Sequence, residues 1–373
     1  MKRLIAMVLL LCTVLGLFAC GRQNEITYTP PAPTTETQGT EPQDTEPAPT
    51  DPPVVEAKYR HPLTGEPLTE PWTGRASGVA LGNTKKAMPQ HGLNQAALLY
   101  EAEVEGSSTR VMAVFGDTTD VQPVGPVRSA RTFFNSICQA LDAVIFHAGG
   151  SKRGRGGYHD LKGKKISDWD HVNALIGSNN ATYYRDKDRR SDGYALEHTM
   201  FTDGAKMLAA LERREYLNAA DAAPSPGFTF VEDFPLTGTQ ANTVTVKFRA
   251  GKTSIFTYDP ATGLYSASQY KEDWIDGNTG EVQKFKNIVV LKSKQTVKSD
   301  GEYPRSYYNL SGIKDGKGEG WFVLDGQMVP IKWTRDALED PFTFTLEDGT
   351  PVAFEPGRTY TAITSSKTPI TCE

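Results

Sequence analysis

From Tyr100 to Glu105 the chain alternates strictly between apolar and acidic side chains. Tyr100, Ala102 and Val104 are predicted on one face of a strand, with Glu101, Glu103 and Glu105 on the other. Gly106-Ser107-Ser108 can turn the chain, and the returning strand "TRVMAVF" brings Arg110 towards the acidic row. "AVIFHA", residues 143 to 148, reads as a short buried strand. The period changes to that of a helix in "RSARTFFNSICQAL" and in "GAKMLAALERREYL", the second opening near Asp203. Beyond "DAAPSPG", residues 221 to 227, almost everything is strand: "TVTVKF", "SIFTYD", "NIVVLKS", "GWFVL", "VPIKW" and "FTFTL". Turn pairs such as Asp276-Gly277, Asp325-Gly326 and Asp348-Gly349 punctuate them. The expectation is an α+β protein: a mixed α/β N-terminal domain over residues 58–223, then a smaller β-rich domain over residues 224–373. A piece ending near Ala223 is expected to fold by itself.

The first 57 residues add a location. Lys2 and Arg3 precede an uncharged apolar run, Leu4 to Phe18, too short to span a bilayer and of the length of a signal-peptide core. "LFAC" then fits a bacterial lipobox, with Cys20 as the lipidated residue and Phe18 bulkier than that slot usually holds. Residues 21–57 are rich in Pro, Thr and Glu and read as an extended tether, with a reach of roughly 100 Å at ~3.1 Å per residue. The mature protein is therefore expected at the cell membrane, lipid-anchored, on the extracytoplasmic face.

Net charge is −5, with much of the acid in the tether, so the remainder is close to neutral and nucleic-acid binding gains no support. Of four cysteines, Cys12 leaves with the signal and Cys20 is acylated. Cys138 and Cys372 could form one disulfide, although Cys138, among apolar residues of a predicted helix, reads as a free core thiol. There is no CxxC and no zinc-ligand spacing, so neither metal nor any other cofactor is expected.

Candidate chemistry begins with Arg128 and Arg131, placed three apart in the first predicted turn of a helix, where positive charge is unfavourable and a shared face is expected. Together with Arg110 they are predicted to meet Glu101 and Glu105 in a guanidinium–carboxylate network. Such a network is either a buried cluster pinning helix to hairpin or a site that keeps part of its positive charge for an anion. The loop "HAGGSKRGRGGYHD" carries Lys152, Arg153 and Arg155 after two glycines. It is either a plain basic surface loop or an anion clamp, and it lacks the GxxxxGK[ST] of a nucleotide-binding loop. His147 ends a strand and is either a satisfied core residue or a base; His198 precedes a helix. His147, His159 and His171 recur every twelve residues, which is no metal-binding spacing. There is no GxSxG, and Ser151 is a weak nucleophile candidate.

"LTGEPL", "YEAEVEGSSTR", "VGPVRSAR", "AVIFHAGGS" and a later histidine before a helix occur in an order that resembles the YerB-like family of lipoproteins, from about His61 to the end. The resemblance implies a signal, a tether, a mixed N-terminal domain and a smaller β-rich C-terminal domain, and it supplies no reaction. By motif match Glu101, Glu105, Arg110, Arg128, Arg131 and His147 fall on the family's most characteristic positions. "LEHTMF" departs from the pattern by placing Glu197 and Thr199 around His198, and "PGRTYTAI" resembles the closing strand, with Tyr360 as its aromatic residue. Three functions fit these residues. The first is a binding module for an anionic cell-wall ligand through Arg110, Arg128, Arg131 and the basic loop. The second is a cell-wall polymer hydrolase or transferase using Glu101 or Glu105 with His147 or His198. The third is a scaffold for an envelope protein partner.

Overall fold

The computed structural model of the protein describes residues 58–150, 169–219, 226–248, 251–299, 304–310, 316–337 and 339–373. Its centre is one eleven-stranded mixed sheet. From one edge the order runs Thr239–Gln240, Gln327–Thr334, Lys317–Leu324, Asn287–Ser293, Thr359–Ser365, Leu98–Glu103, Thr109–Phe115, Ser77–Asn83, Val144–His147, His171–Asn173. Thr343–Leu346 adds to Gln327–Thr334 off this path.

The mixed α/β N-terminal domain expected from periodicity is not what forms. Twenty-five strands and three α-helices are present among the described residues, and the N-terminal segment contributes five strands to the large sheet. The helix expected from Arg128 covers only Thr132–Ala140, here α1. Residues before it are extended: Arg128 N donates to Ala80 O (2.7 Å), Gly82 N to Pro126 O (3.0 Å) and Ala148 N to Arg128 O (2.9 Å). Those backbone groups are used in sheet-like bonds and cannot enter a helix ladder. A short second helix, α2, spans Lys187–Ser191. The third, α3, spans Gly204–Arg213 and starts where the Asp203 side chain accepts from Lys206 N (2.9 Å).

The halves of the chain meet inside the sheet. Leu98–Glu103 pairs antiparallel with Thr109–Phe115 on one side and parallel with Thr359–Ser365 on the other, Thr359 opposite Leu98 and Ile363 opposite Ala102. Residues 55–373 make one compact unit. Both faces of the sheet are covered. On one, Leu99, Val111, Tyr360 and Ala362 share a buried cluster with Phe256, Tyr265 and Phe285 of a second, six-stranded sheet and with Trp274 beside it. On the other, Tyr100, Ala102, Met112 and Val114 pack with Phe133, Phe134, Ile137 and Cys138 of α1. Gly78 makes that seat possible, because a Cβ there would lie 2.6 Å from Cys138 Sγ. Cys138 and Cys372 are both free thiols, and burial pushes the Cys138 thiol up to about 12.

Candidate functional site

The acidic row divides along the chain. Glu101 and Glu103 do face away from Tyr100 and Ala102, but that face is also buried, and Glu101 is 0% exposed. Its Oε1 accepts from Asn83 Nδ2 (2.8 Å) and Thr109 Oγ1 (2.6 Å), and lies 3.2 Å from Lys252 Nζ. Its Oε2 accepts from Tyr360 OH (2.7 Å) and Ser254 Oγ (3.2 Å). Lys252 also donates to Ser254 Oγ (2.8 Å) and stands over the Tyr270 ring at 5.2 Å. Burial lowers the Lys252 pKa, and the neighbouring Glu101 charge opposes the fall. Glu101 thus meets a lysine just before a strand of the second sheet, Thr253–Asp259, in place of the expected arginines. Nothing local in "AGKTS" marks Lys252 as the partner of a residue 151 positions earlier, and sequence reasoning missed it together with Asn83, Ser254 and Tyr270.

Glu105 sits past the strand end, in the turn Glu105–Ser107. There it meets Arg131, whose Nε donates to Oε2 (2.8 Å) while the second guanidinium nitrogen pairs with Oε1. Arg110 approaches the same Oε1 at 3.8 Å. Arg131 occupies the N-cap position of α1 without a side-chain cap bond, its guanidinium turned back to Glu105 and to Ala130 O (2.6 Å). The carboxylate offsets the unfavourable charge at that helix start.

Arg128 goes elsewhere. In an extended segment residues three apart point to opposite sides, so Arg128 and Arg131 diverge. Arg128 Nη1 donates to Glu197 O (3.2 Å) and lies 3.7 Å from Glu197 Oε2, with side chains 27% and 57% exposed. His198 follows, buried, with Nε2 3.5 Å from Glu197 Oε1 and Nδ1 without a hydrogen-bond partner. Burial and then the Arg128 charge lower its pKa.

His147 is fully buried at the end of Val144–His147. One ring nitrogen, Nδ1, lies 2.6 Å from Gly149 O and the other, Nε2, 3.0 Å from His171 Nδ1 on the neighbouring parallel strand. His147 and His171, twenty-four positions apart, therefore form a pair of imidazoles. Burial, then the His171 charge, lowers the His147 pKa from its ordinary 6.5 to about 3. The folded value lies below the unfolded one, so this contribution to stability is full above about pH 6.5 and is lost as pH falls towards 3. His61, His91, His171 and His198 shift in the same direction through burial. The denaturation midpoint should fall as pH is lowered from 7 to 5, above the carboxylate range, and His147→Gln should flatten that slope. A midpoint constant over this interval would show that the histidines ionise freely in the folded protein.

Cys20, Lys152, Arg153, Arg155 and His159 lie outside the described residues. Among the described residues no group of three His, Cys, Asp or Glu side chains is placed to hold a metal ion. No helix there is long and apolar enough to cross a membrane.

What fold and site define together is a large-sheet β protein whose acidic row is tied into buried ionic clusters. The chain belongs to the DUF3048 family, described as of unknown function, matching its N-terminal domain over residues 63–217 and its C-terminal domain over residues 244–361. It is 26% identical over 323 residues to "Putative lipoprotein YerB" of Bacillus subtilis (strain 168), across 83% of this chain and 87% of that protein. The crystal structure of YerB superposes with a TM-score of 0.67, at 23% identity, over 84% of this chain and 99% of that one. At that identity the likeness shows the fold and carries no activity with it.

Proposed function

We propose that the protein is a lipid-anchored binding module on the extracytoplasmic face of the membrane, and that Arg128 receives an anionic group of its ligand. One observation carries the reading: Arg131 is buried against Glu105, whereas Arg128 is partly open, bonds the Glu197 backbone carbonyl, and meets the exposed Glu197 carboxylate only at 3.7 Å. A loosely held surface pair is worth little to stability, which leaves its charge available. His198, with a buried nitrogen lacking a partner, lies beside it. Ala148 N bonds to the Arg128 carbonyl, which places Ala148 beside this arginine; Lys152, Arg153 and Arg155 follow it in sequence. In this reading Arg110, Arg131, Glu101 and Glu105 serve the architecture. An acid or base role for Glu101 has less support, because its carboxylate is enclosed and already engages five donors.

Thermal shift of residues 55–373 across anionic wall fragments tests this. Carboxylate-bearing muropeptides or short phosphodiesters should raise the wild-type melting temperature, more at low salt than at high. Arg128→Gln should lose that response while changing intrinsic stability by at most about 1 kcal/mol. No stabilisation of wild type by any fragment, with collapse of the variant, would assign Arg128 to architecture.

A further inference from the structure

A second basic feature lies in the other half of the large sheet. Where Asn287–Ser293 and Gln327–Thr334 end and Lys317–Leu324 begins, the surface opens into a cavity of about 620 Å³. Lys292, Lys294, Lys317 and Lys332 line it, with Glu319 as the one carboxylate among the lining residues. That is an excess of positive charge on a chain whose net charge is −5. Among the described residues none of these four ammonium groups forms a salt bridge, in contrast to Lys252 or Lys286. Lys292 Nζ is held instead over the Trp321 ring at 4.2 Å, a contact that positions the cation without neutralising it.

The wall behind the lysines is fixed. Trp333 is fully buried, and its indole N–H is shared between the carbonyls of Lys292 (3.1 Å) and Glu319 (3.2 Å). A Cβ at Gly318 would lie 2.5 Å from Lys292 O and 2.7 Å from the Trp333 ring, so glycine there keeps strand and indole in register.

We infer that this cavity binds a linear phosphodiester polymer. Three considerations lead there. The lining cations are all lysine, compact point charges that bind phosphate without the fixed geometry of an arginine fork. They stand on or just beyond three neighbouring strands, which at about 4.8 Å per strand spreads them over roughly 10 Å, too far for one phosphate and suited to successive ones. The exposure of Lys294, Lys317 and Lys332 keeps them able to follow a flexible chain. The cavity is independent of Arg128: that arginine bonds to Ser77–Asn83, four steps along the sheet from Asn287–Ser293, or roughly 20 Å.

The test is titration of residues 55–373 with synthetic poly(glycerol phosphate), with polyglutamate of matched charge, and with vesicles rich in phosphatidylglycerol, which present the same phosphate from a lipid source. Poly(glycerol phosphate) should bind, with an affinity that falls steeply as salt rises. Lys317→Gln/Lys332→Gln, two exposed positions, should weaken it at least tenfold, and Lys284→Gln, exposed and outside the cavity, should leave it unchanged. Equal binding of polyglutamate, binding to vesicles alone, or a double variant that binds like wild type would each overturn the inference. Loss in Arg128→Gln but not in the lysine variant would return the polymer to the Arg128 site.

Discussion

A chain ending at Ala223 should not fold. Cut there, Leu98–Glu103 loses Thr359–Ser365 from its parallel side and becomes the bare edge of a five-stranded remnant. The face carrying Leu99, Val111 and Ala113 loses Phe256, Tyr265, Trp274 and Tyr360 from the same buried cluster. Glu101 loses Lys252, Ser254 and Tyr360 together. On the opposite face α1 loses Arg335, whose buried guanidinium donates to Ser136 Oγ (2.7 Å) and Ser136 O (2.6 Å). Polar ties go as well: Trp274 Nε1 donates to Gln90 Oε1 (2.7 Å), and Asp276 accepts from Asn94 N (2.8 Å). Net stabilities of whole domains are only about 5–15 kcal/mol, far less than the sum of what is removed. Circular dichroism and denaturant titration of the fragment against residues 55–373 give the answer. A cooperative transition in the fragment would mean that the N-terminal strands form their own domain, as the proline-rich stretch at residues 221–227 first implies.

Local pattern and long-range partnership separate in this chain. The alternation from Tyr100 onward is real, with Tyr100 and Ala102 in the cluster under α1 and Glu101 on the other face. The later strands are legible for the same reason: Thr243–Lys247 alternates between buried and partly exposed positions. Ser77–Asn83, by contrast, is buried at every position, so "SGVALGN" shows no alternation to mark it as a strand. The helix beginning at Arg128 fails because helical spacing in a short apolar window does not say whether backbone bonds will be claimed by neighbouring strands. Partner choice is harder still. Arginines near in sequence were the natural counter-charges for Glu101, but its acceptors are filled by Ser254 and Tyr360, 153 and 259 positions away. Such pairings are made by the parallel join of the two halves, which leaves no local mark in either strand.

The join itself can be measured at Glu101. Glu101→Gln removes the counter-charge of Lys252, which is buried with its pKa already lowered. It also turns an amide N–H₂ towards groups that donate to the carboxylate. Stranding one member of a buried pair is expected to cost roughly 3–5 kcal/mol. Lys252→Met, which strands the carboxylate, should be comparably severe, softened by the four neutral donors that remain on Glu101. In the double variant no charge is left uncompensated, so its loss should fall short of the sum of the two by about 1–3 kcal/mol. The sign of the pH dependence separates this from simple loss of packing. Without Glu101, the folded pKa of Lys252 drops further below its unfolded value, and the unfolded state binds the extra proton. Glu101→Gln should therefore recover stability as pH rises from neutrality towards 9, an interval in which a packing defect would be flat. Additive single-variant losses, or a Glu101→Gln deficit independent of pH, would show that Lys252 is held by burial and its aromatic neighbours and that the ion pair does not fasten the two halves of the sheet.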